Sequence, residues 1–119
     1  MFKHKKITIK GKEYYQTIYV NKHKTKSYYL NGKCHREDGP AVESAAGSKF
    51  WYIKDKLHRE DGPAVEYISG TKEWWQNDQL HRLDGPAIEV FDGTKELWIN
   101  DVKYTKEEYN KLCLNIKKI

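Results

Sequence analysis

The string HREDGPA stands at residues 35–41 and again at 58–64, and HRLDGPA stands at 81–87, so the chain repeats itself every 23 residues without insertion. A period of that length means that each unit is one supersecondary element whose apolar side is buried by its neighbours. Side chains that recur in every unit serve folding and stacking before they serve one asymmetric reaction centre. Aligned on the period, the units run 28–50, 51–73 and 74–96, followed by a fragment that starts at Leu97. Residues 18–27 match the second half of a unit, and residues 1–17 read as a decayed unit or a capping pair of strands.

Two turn signals punctuate each unit. The first is Asn31-Gly32, with degenerate copies at Lys54-Asp55, Asn77-Asp78 and Asn100-Asp101; the second is Ala46-Gly47, then Ser69-Gly70, then Asp92-Gly93. Between them lie short segments rich in β-branched and aromatic residues, such as AVEYI and AIEVF, whose lengths suit strands. Gly39, Gly62 and Gly85, each followed by a proline that cannot donate to a ladder, mark a bulge or bend. Alternation across the pleat gives two aromatic columns, Tyr28, Trp51, Trp74, Leu97 on one face and Tyr29, Tyr52, Trp75, Trp98 on the other. A thin sheet buries one column; the second needs a curled sheet or a partner to cover it.

The end of the chain changes character. Thr105 and Glu108 form a capping box, and Tyr109, Leu112, Cys113 and Ile116 fall at i, i+3, i+4 and i+7, which predicts an amphipathic helix over 106–117 that closes the last sheet edge. The expected fold is all-β: tandem antiparallel hairpins in an extended, twisted or curved sheet with a short C-terminal capping helix. At 119 residues the chain reads as a single repeat domain, with basic N-terminal strands over 1–27, hairpin repeats over 28–104 and the helix over 105–119.

The formal net charge of +5 is uneven, because residues 1–27 hold eight lysines against Glu13 alone. Such an end attracts phosphates or an acidic protein surface, or serves as a solvated edge that repels strand addition. The opening residues lack a signal-peptide apolar run and no stretch has membrane-spanning length, so the expected location is cytoplasmic. Cys34 and Cys113 are too few for a disulfide scaffold; Cys34 takes the slot of Leu57 and Leu80 and reads as a small buried hydrophobe.

His35, His58 and His81, with Asp38, Asp61 and Asp84, invite a metal reading. Equivalent residues in consecutive hairpins lie about 9–10 Å apart, whereas zinc needs its ligand atoms about 2.0–2.3 Å from one centre. The same residues in three near-identical copies offer three similar environments, which argues against a catalytic pair with divergent pKa values. There is no phosphate loop, nucleophile motif or cofactor signature, so catalytic residues, metal ligands and cofactors are expected to be none. Arg36, Arg59 and Arg82 are expected to pair with an aspartate of their own or the neighbouring unit. Removing one such partner, Asp61, is expected to cost on the order of 1–3 kcal/mol.

The recurring order of aromatic pair, Asn-Gly-Lys turn, His, Gly, strand, Asp-Gly-Thr-Lys and aromatic pair within 23 residues resembles the MORN repeat over roughly residues 18–104. It is similar to the divergent form found in bacterial and viral proteins, in which HRxDGPA stands where the ordinary repeat has His-Gly-x-Gly. The resemblance implies stacked hairpins serving as a protein-interaction module or, less directly, a lipid-binding one; in a virus, an inhibitor of a host protein would be a natural role. The expected function is therefore a non-enzymatic protein-binding module acting on a protein partner or a second copy, with Trp51, Tyr52, Trp74, Trp75 and Trp98 as anchors. The alternative is a nucleic-acid or nucleotide-binding protein, with Lys22, Lys24, Lys26, Arg36, Arg59 and Arg82 as candidate contacts to an anionic ligand.

Overall fold

The computed structural model describes residues 1–117 and is all-β with one helix. A long hairpin, β1 (Phe2–Ile9) and β2 (Lys12–Val20), is followed by β3 (Lys26–Leu30) and β4 (Lys33–Cys34). Two-residue strands then alternate: β5 (Val42–Glu43), β6 (Lys49–Phe50), β7 (Tyr52–Ile53), β8 (Lys56–Leu57), β9 (Val65–Glu66), β10 (Lys72–Glu73), β11 (Trp75–Gln76), β12 (Gln79–Leu80) and β13 (Ile88–Glu89). The chain ends with β14 (Lys95–Ile99), β15 (Val102–Tyr104) and α1 (Lys106–Lys117).

The main sheet is antiparallel and runs β1-β2-β3-β5-β6-β9-β10-β13-β14-β15, with the small hairpins β7-β8 and β11-β12 beside it. Each unit thus contributes one hairpin to the sheet and one to a second row. Nine strand steps at roughly 4.8 Å account for most of the 49 Å long axis of a slab only 17 Å thick. The register makes an alternating charge ladder: Lys49 stands between Glu43 and Glu66, and Lys72 between Glu66 and Glu89. One residue along, Phe50 stands between Val42 and Val65 on the opposite face.

The first turn signal is a two-residue turn with both central residues left-handed, as the twist of a hairpin requires: φ is 49° and 80° at Asn31 and Gly32, and 48° and 67° at Lys54 and Asp55. Lys10-Gly11, Asn77-Asp78 and Asn100-Asp101 repeat it. All five tips follow the same geometry.

A slab this thin has little conventional core. Val65 is the only large side chain that is fully buried among the described residues; Ala41, Ala64 and Ala87, the last residue of each HRxDGPA string, are completely enclosed. The capping box of α1 forms as expected, with Thr105 N–H donating to Glu108 Oε1 at 3.0 Å and Glu108 N–H donating to Thr105 Oγ1 at 3.2 Å. Tyr109 and Cys113 join Ile99, with Leu83, Leu97, Tyr104 and Leu112 packed around them; the side chain of Ile116 lies outside the described ones. The Tyr109 hydroxyl sits 2.6 Å from the Arg82 carbonyl and accepts the Gly85 N–H at 3.1 Å, and its burial pushes its pKa up to about 12. Leu83, the one residue by which HRLDGPA departs from HREDGPA, is apolar because α1 covers it.

Candidate functional site

The three HRxDGPA strings form three equivalent loops on one face of the slab. Each loop is closed at both ends by the backbone of one aromatic residue: Trp51 N–H donates to Ala64 C=O at 2.7 Å, and Trp51 C=O accepts from His58 N–H at 3.0 Å. Trp74 does the same for the 81–87 loop and Tyr28 for the 35–41 loop. This is why the strand breaks at Trp51 and Trp74: their backbone groups leave the ladder to hold a loop.

Inside the loop the arginine returns over the aromatic that clamps it. The guanidinium carbons of Arg36, Arg59 and Arg82 lie 4.1, 3.8 and 3.9 Å from the ring centroids of Tyr28, Trp51 and Trp74. Arg59 donates from Nε to Asp61 Oδ1 at 3.0 Å, and from Nη1 to the Pro63 carbonyl at 3.1 Å and Glu66 Oε1 at 3.4 Å. Arg36 and Arg82 repeat the pattern through Asp38 and Glu43, and through Asp84 and Glu89. A Cβ at Gly62 would stand 2.9 Å from the Arg59 guanidinium carbon, so the glycine leaves the space into which the guanidinium folds, in addition to the bend expected from sequence.

This geometry fills in one expectation and corrects another. The covered column is the first: arginines roof Tyr28, Trp51 and Trp74, and at Leu97, which no further loop follows, α1 takes over. The arginines pair with aspartates of their own units as expected, but the Asp61 side chain is 84% exposed. The expected cost for Asp61→Ala therefore falls to about 0–1 kcal/mol, the range of a solvent-screened pair.

The histidines join units. Lys54 N–H donates to His35 Nδ1 at 2.9 Å, Asn77 N–H to His58 Nδ1 at 3.1 Å and Asn100 N–H to His81 Nδ1 at 3.1 Å. Each bond uses Nδ1 as the acceptor and leaves Nε2 as the donor side of the ring. Sequence reading missed a second set of inter-unit bonds, from the tips. Asp55, Asp78 and Asp101 accept the N–H of Cys34, Leu57 and Leu80 at 2.6, 2.7 and 2.8 Å, while their own N–H groups donate to the carbonyls of those residues. The available signal was aspartate at a left-handed position where glycine is easier. Burial, with the Asp55 carboxylate, pushes the Cys34 thiol up to about 11, so it stays protonated.

For His35, buried with only 5% of its surface exposed, burial dominates and lowers the pKa below 6.5; Glu37 opposes this and Lys54 adds to it. A lowered folded pKa gives stability that is present above pH 6.5 and lost as pH falls through that value toward the folded pKa. Melting temperature should decline as pH is lowered from 6.5 to 5, and less steeply in His35→Gln. An identical decline in both would remove His35 from the account.

Of the expected anchors, Trp51 and Trp74 lie beneath guanidinium groups, whereas Tyr52, Trp75 and Trp98 form the other column, half-buried on the opposite face. There, Trp75 Nε1–H donates to Glu73 and Trp98 Nε1–H to Glu96, both at 2.9 Å, and Tyr67 stands edge-on to Phe50 at 5.9 Å between centroids. Of the expected anionic-ligand contacts, Lys22 and Lys24 are exposed in the connection between β2 and β3, and Lys26 lies over the Tyr28 ring at 5.0 Å, sharing it with Arg36. All three arginines already meet two carboxylates each. Among the described residues no three His, Cys, Asp or Glu side chains cluster as a metal site would require, and no helix is long and apolar enough to cross a membrane.

These bonds define the class: a tandem β-hairpin repeat in which the recurring motif braces each unit internally and ties it to the next. No protein-family model, curated protein or solved structure matches the chain.

Proposed function

We propose that this chain is a non-catalytic, MORN-like repeat module that binds a protein partner through the face carrying Tyr52, Trp75 and Trp98. The observation that supports this most is the division of labour between the faces. On one, His, Arg and Asp are engaged in bonds within and between units. On the other, the indole edges of Trp75 and Trp98 are fixed by Glu73 and Glu96, leaving rigid, half-exposed aromatic surface beside Tyr67, which is 39% exposed. Rings held in this way lose little freedom on binding, which suits interface anchors. Trp51 and Trp74 move from the anchor set to the scaffold.

The test is a complex recovered after nuclease treatment from the native cell and reconstituted with purified components. Trp75→Ala should weaken it by about 2 kcal/mol, as hot-spot truncations do, with the melting temperature little changed, whereas Trp74→Ala should mainly destabilise the fold. Loss of the complex on nuclease treatment, with affinity falling steeply between about 50 and 200 mM salt, would replace this reading with nucleic-acid binding.

A further inference from the structure

We propose that the cleft where the β1-β2 hairpin meets the first repeat binds a compact polyphosphate anion, either free inorganic polyphosphate or the polyphosphate tail of a nucleotide. The cleft has a volume of about 510 Å³ and a floor that includes Ile9 and Leu30; Lys10, Lys12, Lys33 and Lys54 line it. A single carboxylate, Glu37, shares the cleft, 3.7 Å from His35 Nε2. Among the described residues none of the four lysines is within ion-pair distance of an acid.

The repeats supply internal controls. In the next cleft along the slab, Lys10, Arg36 and Arg59 are matched by Glu37, Glu60 and Asp61; in the one after it, Arg59 and Arg82 face Glu60, Asp61 and Asp84. The excess of positive charge therefore belongs to one place and not to the repeat. Its origin is readable in the linings: Glu60 and Asp61 line both of the other clefts and Asp84 the last, all from HRxDGPA strings, whereas Glu37 is the one such carboxylate lining the first. Lys33 corresponds to Lys56, Gln79 and Val102, and Lys54 to Asn31, Asn77 and Asn100, so the fold accepts residues other than lysine at both positions.

Four lysines line one cleft, and a multiply charged anion is attracted to all of them together. Ammonium groups act as point charges that suit phosphate oxygens without demanding a planar, forked acceptor. The arginines, each already held by two carboxylates, are not needed for this site, nor are Lys22, Lys24 and Lys26.

The experiment is calorimetric titration of the full chain with inorganic triphosphate, pyrophosphate and ATP at about 20 mM and 200 mM salt. The variant Lys10→Asn, Lys33→Gln, Lys54→Asn uses residues that the chain itself carries at equivalent tips and strands, so the fold is retained; circular dichroism confirms it. The control Lys22→Gln, Lys24→Asn, Lys26→Gln removes the same three charges elsewhere. Triphosphate affinity should fall at least about tenfold in the first variant and no more than about threefold in the control, and should be unaffected by Trp75→Ala, which separates this site from the protein-binding face. Equal tolerance of triphosphate and ATP assigns the site to the phosphates alone; tighter ATP binding lost in the cleft variant assigns it to a nucleotide. An equal fall in both lysine variants, or no binding of triphosphate by the unmodified chain at millimolar concentration, overturns the proposal.

Discussion

Arg59→Ala should lower stability by about 2–4 kcal/mol, which corresponds to a melting temperature reduced by roughly 10 °C. Three losses add up in this one change. The Trp51 ring loses the guanidinium that roofs it at 3.8 Å; the Pro63 carbonyl loses a charge-assisted donor; and Glu66, whose side chain is only 34% exposed, is left without its cation. Asp61→Ala, in the same loop, should change the melting temperature by only a few degrees because its carboxylate is in water. Arg59→Lys should not rescue the loss, since an ammonium neither covers an indole as a planar group does nor reaches three acceptors in a fixed fork. Gly62→Ala should lower the melting temperature less than Arg59→Ala, because its Cβ crowds the guanidinium at 2.9 Å but the flexible side chain can shift and keep its carboxylate partners. Thermal melts of the four variants decide. Unchanged melting of Arg59→Ala, together with loss of a bound ligand, would make the arginine a contact residue and not a brace.

Much of the fold was legible because local chemistry carried it. The period fixed the units, the left-handed tip residues fixed the hairpins, and the Thr105 and Glu108 pair fixed the start of α1, each through interactions spanning a few residues. What stayed hidden depended on groups brought together across the fold. The stacking of Arg59 on Trp51 uses the space left open at Gly62, and a sequence shows that glycine equally well as a bend. The inter-unit bonds of Asp55, Asp78 and Asp101 look in sequence like turn chemistry alone, although the carboxylate reaches back 21 residues. The aromatic face was visible as alternation, but which of Trp74 and Trp75 is covered depended on where the loop folds. The basic end was visible as composition, while the convergence of Lys10, Lys12, Lys33 and Lys54 depended on packing of the first hairpin against the first repeat.

If the recurring residues brace units that are structurally interchangeable, whole periods can be removed or added. Deletion of residues 51–73 joins Phe50 to Trp74, which then takes the place of Trp51: its backbone still clamps an HRxDGPA loop, Arg82 still covers its ring, and Asp78 meets Cys34 where Asp55 did. Duplication of 51–73 makes the same junctions with one unit more. Each period contributes two strands to the main sheet, so the slab should shorten or lengthen by about 9–10 Å. Stability should fall in the deletion and rise in the duplication, because each period adds one unit and one interface.

The most direct measurement is therefore small-angle X-ray scattering combined with thermal melting on the deletion, the parent chain and the duplication. The account predicts three cooperatively melting proteins whose maximum dimension and melting temperature both increase with the number of periods. A deletion variant that lacks a cooperative transition, or a duplication whose extra unit leaves the dimensions of the folded slab unchanged, would contradict it.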